Sequence, residues 1–191
     1  MAALARVLLL LILLPPGPAL AAVEIAFYSR DADVRFPHAF VVLQGTVDAT
    51  GEAVNEDYGF TAVTPSPAVL WGPVRGRIIT DHPKAYVAGS RRHFSFVLSD
   101  AEYAGVMAVI ERWRRLPQPS YALDTRNCLF FVADIAAALG LEADPPARLV
   151  RKPRSFLTWL TDRNRPLIQA RTEPPAADVA GVSATPASGS R

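Results

Sequence analysis

Alternating and β-branched or aromatic positions dominate the first half of the chain, and helical spacing dominates the second. Strands are predicted over 23–29 (VEIAFYS), 38–48 (HAFVVLQGTVD), 52–63 (EAVNEDYGFTAV), 74–80 (VRGRIIT) and 92–99 (RHFSFVLS). The second and third of these runs are joined by the turn-forming ATG and predict a hairpin. A loop with three prolines, TPSPAVLWGP, precedes the fourth strand, and the turn-like DHPKAYVAGS precedes the fifth. In SDAEYAGVMAVIERWRRL, Ser99 and Glu102 form a capping-box pair. Tyr103, Val106, Met107, Ile110 and Trp113 then recur at helical spacing and mark a core face. A second helix is predicted from near Asn127 to a stop at Gly140. A third, RSFLTWLTDRN, docks through Phe156, Leu157 and Leu160. Strands first and helices later predict an α+β domain, a mostly antiparallel sheet packed by helices.

Composition changes this picture at the two ends. MAALARVLLLLILLPPGPALAA has one positive charge, a short apolar run and small residues at Ala19 and Ala21. That is the pattern of a signal peptide over 1–21, with an apolar run too short for a membrane span. The segment 172–191, rich in Pro, Ala, Ser and Gly, lacks the side chains to offset its ordering entropy and is predicted to be a disordered tail. One domain, 22–171, remains, expected to be exported to the periplasm with no stable membrane span after cleavage.

The formal net charge of +2 gives no general case for a nucleic-acid partner. The local basic cluster RLVRKPR reads as solvated surface, with contact to anionic polymer or lipid headgroups as the alternative. No residue pattern calls for a metal or a cofactor.

The single cysteine, Cys128, is unusual for an exported chain, where structural cysteines pair. It follows Asn127, a good N-cap, and so takes the first helical position, where the helix dipole favours a thiolate. The competing role is a small buried hydrophobe, since Phe131, Val132, Ile135 and Leu139 put Cys128 at the edge of the packing face. A thiol nucleophile needs a base, usually histidine. His82 lies in a turn and is expected to be exposed, while His93 opens a strand after two arginines at the sheet edge. His38 opens the clearest strand and shares a face with Phe40, Val42 and Gln44, the face expected to be covered by the helices. With the hairpin turn centred on Ala49 and Thr50, Thr61 falls opposite His38, as an imidazole orienter or as an ordinary strand residue.

A histidine opening a hairpin (PHAFVVLQG … YGFTA), followed later by YALDTRNCLFFVADIAAALGL, resembles the circularly permuted branch of the NlpC-type papain-like fold. That branch includes the lecithin:retinol acyltransferase-like and YiiX-like proteins, and the resemblance spans roughly residues 36 to 141. It implies Cys128 as nucleophile, His38 as base, and Tyr121 near the oxyanion or substrate. The family's third residue is often histidine, asparagine or glutamine, and Thr61 at the matching place departs from that pattern. The expectation is an exported thiol hydrolase cleaving an amide bond, with a peptidoglycan peptide or other envelope amide or ester as substrate. The alternatives are a catalytically inactive envelope-binding module and a lipid or thioester acyl hydrolase.

Overall fold

The computed structural model describes residues 22–31, 36–64 and 66–172. The signal-peptide expectation over 1–21 and the tail expectation over 173–191 fall outside the described residues, whereas Thr172 itself ends a helix. Five strands form one antiparallel sheet: β1 (Val23–Arg30), β2 (His38–Thr46), β3 (Ala53–Ala62), β4 (Gly76–Ile79) and β5 (Arg91–Leu98). Their spatial order is β4-β3-β2-β1-β5, so β2 and β1 are central and β4 and β5 are edges. The helices are α1 (Lys84–Ala88), α2 (Asp100–Arg114), α3 (Cys128–Ala138), α4 (Pro153–Arg163) and α5 (Arg165–Thr172). An α+β fold with an antiparallel sheet is therefore what the chain forms. Neither α1 nor α5 is foreseen by periodicity: α1 spans five residues inside a turn-like segment, and α5 follows α4 after only Asn164.

One face of the sheet carries the main core. Ile25 and Phe27 of β1, Ala39, Val41 and Leu43 of β2, Tyr58 and Phe60 of β3, and Phe94 and Phe96 of β5 pack there. The facing helices supply Val106, Ile110 and Trp113 from α2, Phe131, Val132 and Ile135 from α3, and Phe156, Leu157 and Leu160 from α4. Full burial of each large apolar side chain is worth about 1.5–3 kcal/mol, so this layer is the main source of stability. Helix α3 lies over β2 and β3, α4 over β1 and α5 over β5.

The covered face differs from the expected one. The helices take the phase Ala39, Val41, Leu43, and the phase His38, Phe40, Val42, Gln44 points to the other side. Both sets are largely apolar, and the strand pattern alone does not say which one meets the larger layer. The second face has its own small cover. His82 stacks on Phe40 at a ring-centroid distance of 4.7 Å, Tyr86 of α1 packs on it tilted at 5.8 Å, and Phe40 is fully buried.

Candidate active site

Cys128 is placed by the cap before it. The Asn127 side-chain oxygen accepts the Leu129 N–H at 2.8 Å, while its amide donates to the carbonyls of Leu123 and Val150 at 2.6 and 2.8 Å. One buried side chain thus starts α3 and ties it to two loops. The loop leading to it is anchored on β4. Gln118 donates to the Gly76 carbonyl at 2.9 Å and accepts the Gly76 N–H at 3.0 Å, and Tyr121 exchanges backbone hydrogen bonds with Val74, both at 2.9 Å.

The Cys128 side chain turns into the helix-covered core beside Ala39 and is 4% exposed. Burial pushes its thiol up to about 11; the backbone N–H groups of Ala39, Leu129 and Cys128 itself pull it part of the way back. A helix N-terminus by itself lowers a thiol pKa. Here desolvation outweighs the dipole, so the resting species at neutral pH is the thiol.

His38 takes the other direction. Its ring lies over Gly59, stacks on Phe40 at 6.0 Å and meets the tilted ring of His82 at 5.4 Å. The ladder pairs Phe40 with Gly59, so Gly59 shares the Phe40 face, and a Cβ there would fall 2.5 Å from His38 Nε2. The absent side chain is what admits the ring. Among the described residues His38 Nε2 is the one buried side-chain nitrogen or oxygen with no hydrogen-bond partner. Burial first, then the charge of His82, lowers the His38 pKa to about 3. The Cys128 sulfur thus lies near the backbone of Ala39, the next residue along the strand, while the imidazole leaves on the far face. No hydrogen bond joins the two side chains.

The hairpin register makes Thr61 the continuation opposite His38, since Phe40 pairs with Gly59 and Thr46 with Ala53 about a turn at Ala49 and Thr50. The ladder stops at Phe40, however, and Thr61 pairs instead with Arg77 of β4. With His38 Nε2 unpartnered, the Thr61 hydroxyl does not orient that nitrogen. Tyr121 packs on Phe60 at 5.6 Å, and its hydroxyl pKa is raised, by burial and then by the charge of Cys128. It is therefore a neutral O–H donor within electrostatic range of the thiol.

His82 corrects the expectation of an exposed loop residue. Its side chain is 5% exposed, sandwiched between Phe40 and Tyr86 and paired through Nδ1 with Asp57. Asp57 lies on β3 opposite Val42, two residues before Gly59 and on the same face. The signal for this group was present in Gly59, since a glycine inside a strand marks a close approach. His93 has a structural partner, Ser29, at 2.8 Å.

Compared with family models, with curated proteins and with solved structures, the chain matches none. The candidate site therefore stands on its own chemistry. Among the described residues no group of three or more His, Cys, Asp or Glu side chains is arranged to hold a metal, and no helix is long and apolar enough to cross a membrane.

Proposed function

We propose that this protein is a thiol hydrolase in which Cys128 attacks an amide or ester carbonyl and His38 takes the thiol proton. The supporting observation is adjacency along β2: a capped helix N-terminus presents the thiol beside Ala39, and the preceding residue, on the opposite face, is a histidine held neutral by burial. With the thiol pushed to about 11 and the imidazole to about 3, the two groups rest as a neutral pair. Proton transfer then accompanies attack rather than preceding it. No hydrogen bond joins His38 to the sulfur at rest, so that contact has to form as substrate binds, and catalytic hydrogen bonds tighten in the substrate complex. Attack forms an acyl-thioester and releases the amine or alcohol with the proton from His38. Water then adds, His38 accepts its proton, and the acid leaves while the thiol is restored. The backbone N–H of Cys128 and the Tyr121 hydroxyl are the donors for the oxyanion.

An exported hydrolase of this kind meets cell-wall peptides, which makes an envelope amide the first substrate class and a lipid or thioester acyl group the second. A binding module without turnover is the competing function, favoured by the buried protonated thiol and the missing Cys128–His38 hydrogen bond. Incubation with defined muropeptides and acyl lipids, with products read by mass spectrometry, separates them. Hydrolysis that disappears in Cys128→Ala supports the enzyme. Binding of the same muropeptides with no product from wild type supports the module.

A further inference from the structure

The face of the sheet that holds His38 carries three polar groups that ordinary packing does not require. His38 Nε2 is buried and unpartnered; His82 lies beside it; Asp57 pairs with His82. An unsatisfied buried nitrogen costs about 1–3 kcal/mol, so its persistence calls for an explanation. The hollow over Gly59 supplies one. A point at the missing Cβ is 2.5 Å from His38 Nε2, 3.2 Å from His38 Cε1 and 3.3 Å from His82 Cε1, so the edges of the two rings meet there.

Asp57 determines the proton arrangement. Its carboxylate accepts from His82 Nδ1, so neutral His82 carries its hydrogen on Nδ1 and leaves Nε2 as a bare acceptor. The Nε2 of His82 is bonded to the Cε1 atom that reaches the hollow. In the structure His38 Nε2 has no partner, and rotation of the His38 ring is what would bring its Nε2–H to His82 Nε2. His38 Nδ1 is then left with its lone pair, the form a general base requires. Stacking on Phe40 at 4.7 Å and on Tyr86 at 4.9 Å holds the His82 ring in place.

We propose that His82, fixed by Asp57, is the positioning residue that holds His38 as its Nε2–H tautomer, in the role that sequence spacing gave to Thr61. The proposal rests on the thiol-hydrolase reading for its purpose, but its test does not depend on turnover. The orienting group comes from the segment between β4 and α1 instead of from the hairpin partner of His38.

The test is nitrogen-15 NMR of the histidine rings in the full chain at neutral pH, on wild type, His82→Phe and His82→Gln. Wild type should show His38 with its hydrogen on Nε2. His82→Phe keeps an aromatic ring against Phe40 and Tyr86 but removes the acceptor, so the hydrogen should move to Nδ1 in at least half of the molecules. His82→Gln offers an amide oxygen and should restore the wild-type tautomer in part. Hydrogen on Nδ1 in wild type overturns the proposal without any variant, and so does an unchanged tautomer in folded His82→Phe. If the tautomer follows His82 while muropeptides and acyl lipids remain uncleaved, the positioning pair stands and the hydrolase function fails. Cleavage with a tautomer indifferent to His82 gives the reverse.

Discussion

His38 occupies the space that Gly59 leaves vacant, its Nε2 2.5 Å from where a glycine-to-alanine Cβ would stand. The strand pairing brings the two together: β3 delivers Gly59 opposite Phe40, two residues along the strand from His38. The absent side chain leaves room for the ring on the face it shares with Phe40 and His82.

Gly59→Ala therefore tests the hollow. The added methyl has no room unless the His38 ring moves, and overpacking of this kind costs about 1–3 kcal/mol. The expected result in urea unfolding is a lower midpoint with an unchanged slope. The companion variant Gly59→Ala/His38→Ala removes the obstructing ring and should recover part of the loss attributable to Gly59→Ala in the His38→Ala background. A full and equal loss in both backgrounds would show that His38 is not what the methyl meets.

Asn127 offers the largest single polar effect near the site. Asn127→Ala removes the cap of α3, worth about 1 kcal/mol, and strips two part-buried carbonyls of their donor. A combined destabilisation of about 2–4 kcal/mol is expected. Asn127→Asp keeps the cap oxygen but loses the donor to Leu123 and Val150, so it should fall short of wild type. Thermal unfolding of the three proteins checks the order, and Asp equal to wild type would assign the whole effect to the cap.

Acid should weaken the fold through its buried histidines. The His38 pKa falls from the ordinary 6.5 to about 3, by burial first and then by His82. Between those values the unfolded chain binds a proton that the native chain does not. Stability is thus fully present above about pH 6.5 and is lost as pH drops toward 3, by up to about 1.4 kcal/mol per unit. His93, lowered to about 4 by burial and then by Arg91 and Arg154, acts in the same direction. Denaturation at pH 7, 5 and 4 should give a falling series, and His38→Phe should flatten it. An acid slope as steep in that variant as in wild type would place the titration elsewhere.

The thiol should behave as a buried one. At neutral pH iodoacetamide should modify Cys128 more slowly than it modifies glutathione, and the rate should climb with pH toward about 11. A fast neutral reaction with a plateau below pH 7 would mean that a thiolate is held at rest, contrary to the burial seen here.

The hydrophobic pattern alone was sufficient for the strands, for the capped α2 and α3 and for the place of Cys128 at the first position of its helix, because each depends on residues near in sequence. The Ser99–Glu102 box and the Asn127 cap are local hydrogen-bonded units and form as their spacing predicts. The hairpin register was legible for the same reason, with Ala49 and Thr50 at its turn and Ala53 opposite Thr46. The face of β2 was not. Ala39, Val41 and Leu43 compete with Phe40 and Val42, and both sets are apolar enough to be buried. Only the docking of α2 to α5 on one side and of the short α1 on the other settles the contest. The same holds for His82. Its sequence neighbours describe a turn, and its burial comes from Phe40, Asp57 and Tyr86, of which the first two lie on strands distant in the chain. The local sequence determined that a cysteine starts a helix and a histidine starts a strand. Tertiary packing decided that they leave the strand on opposite faces, because the side of a sheet is chosen by what the rest of the chain has to bury.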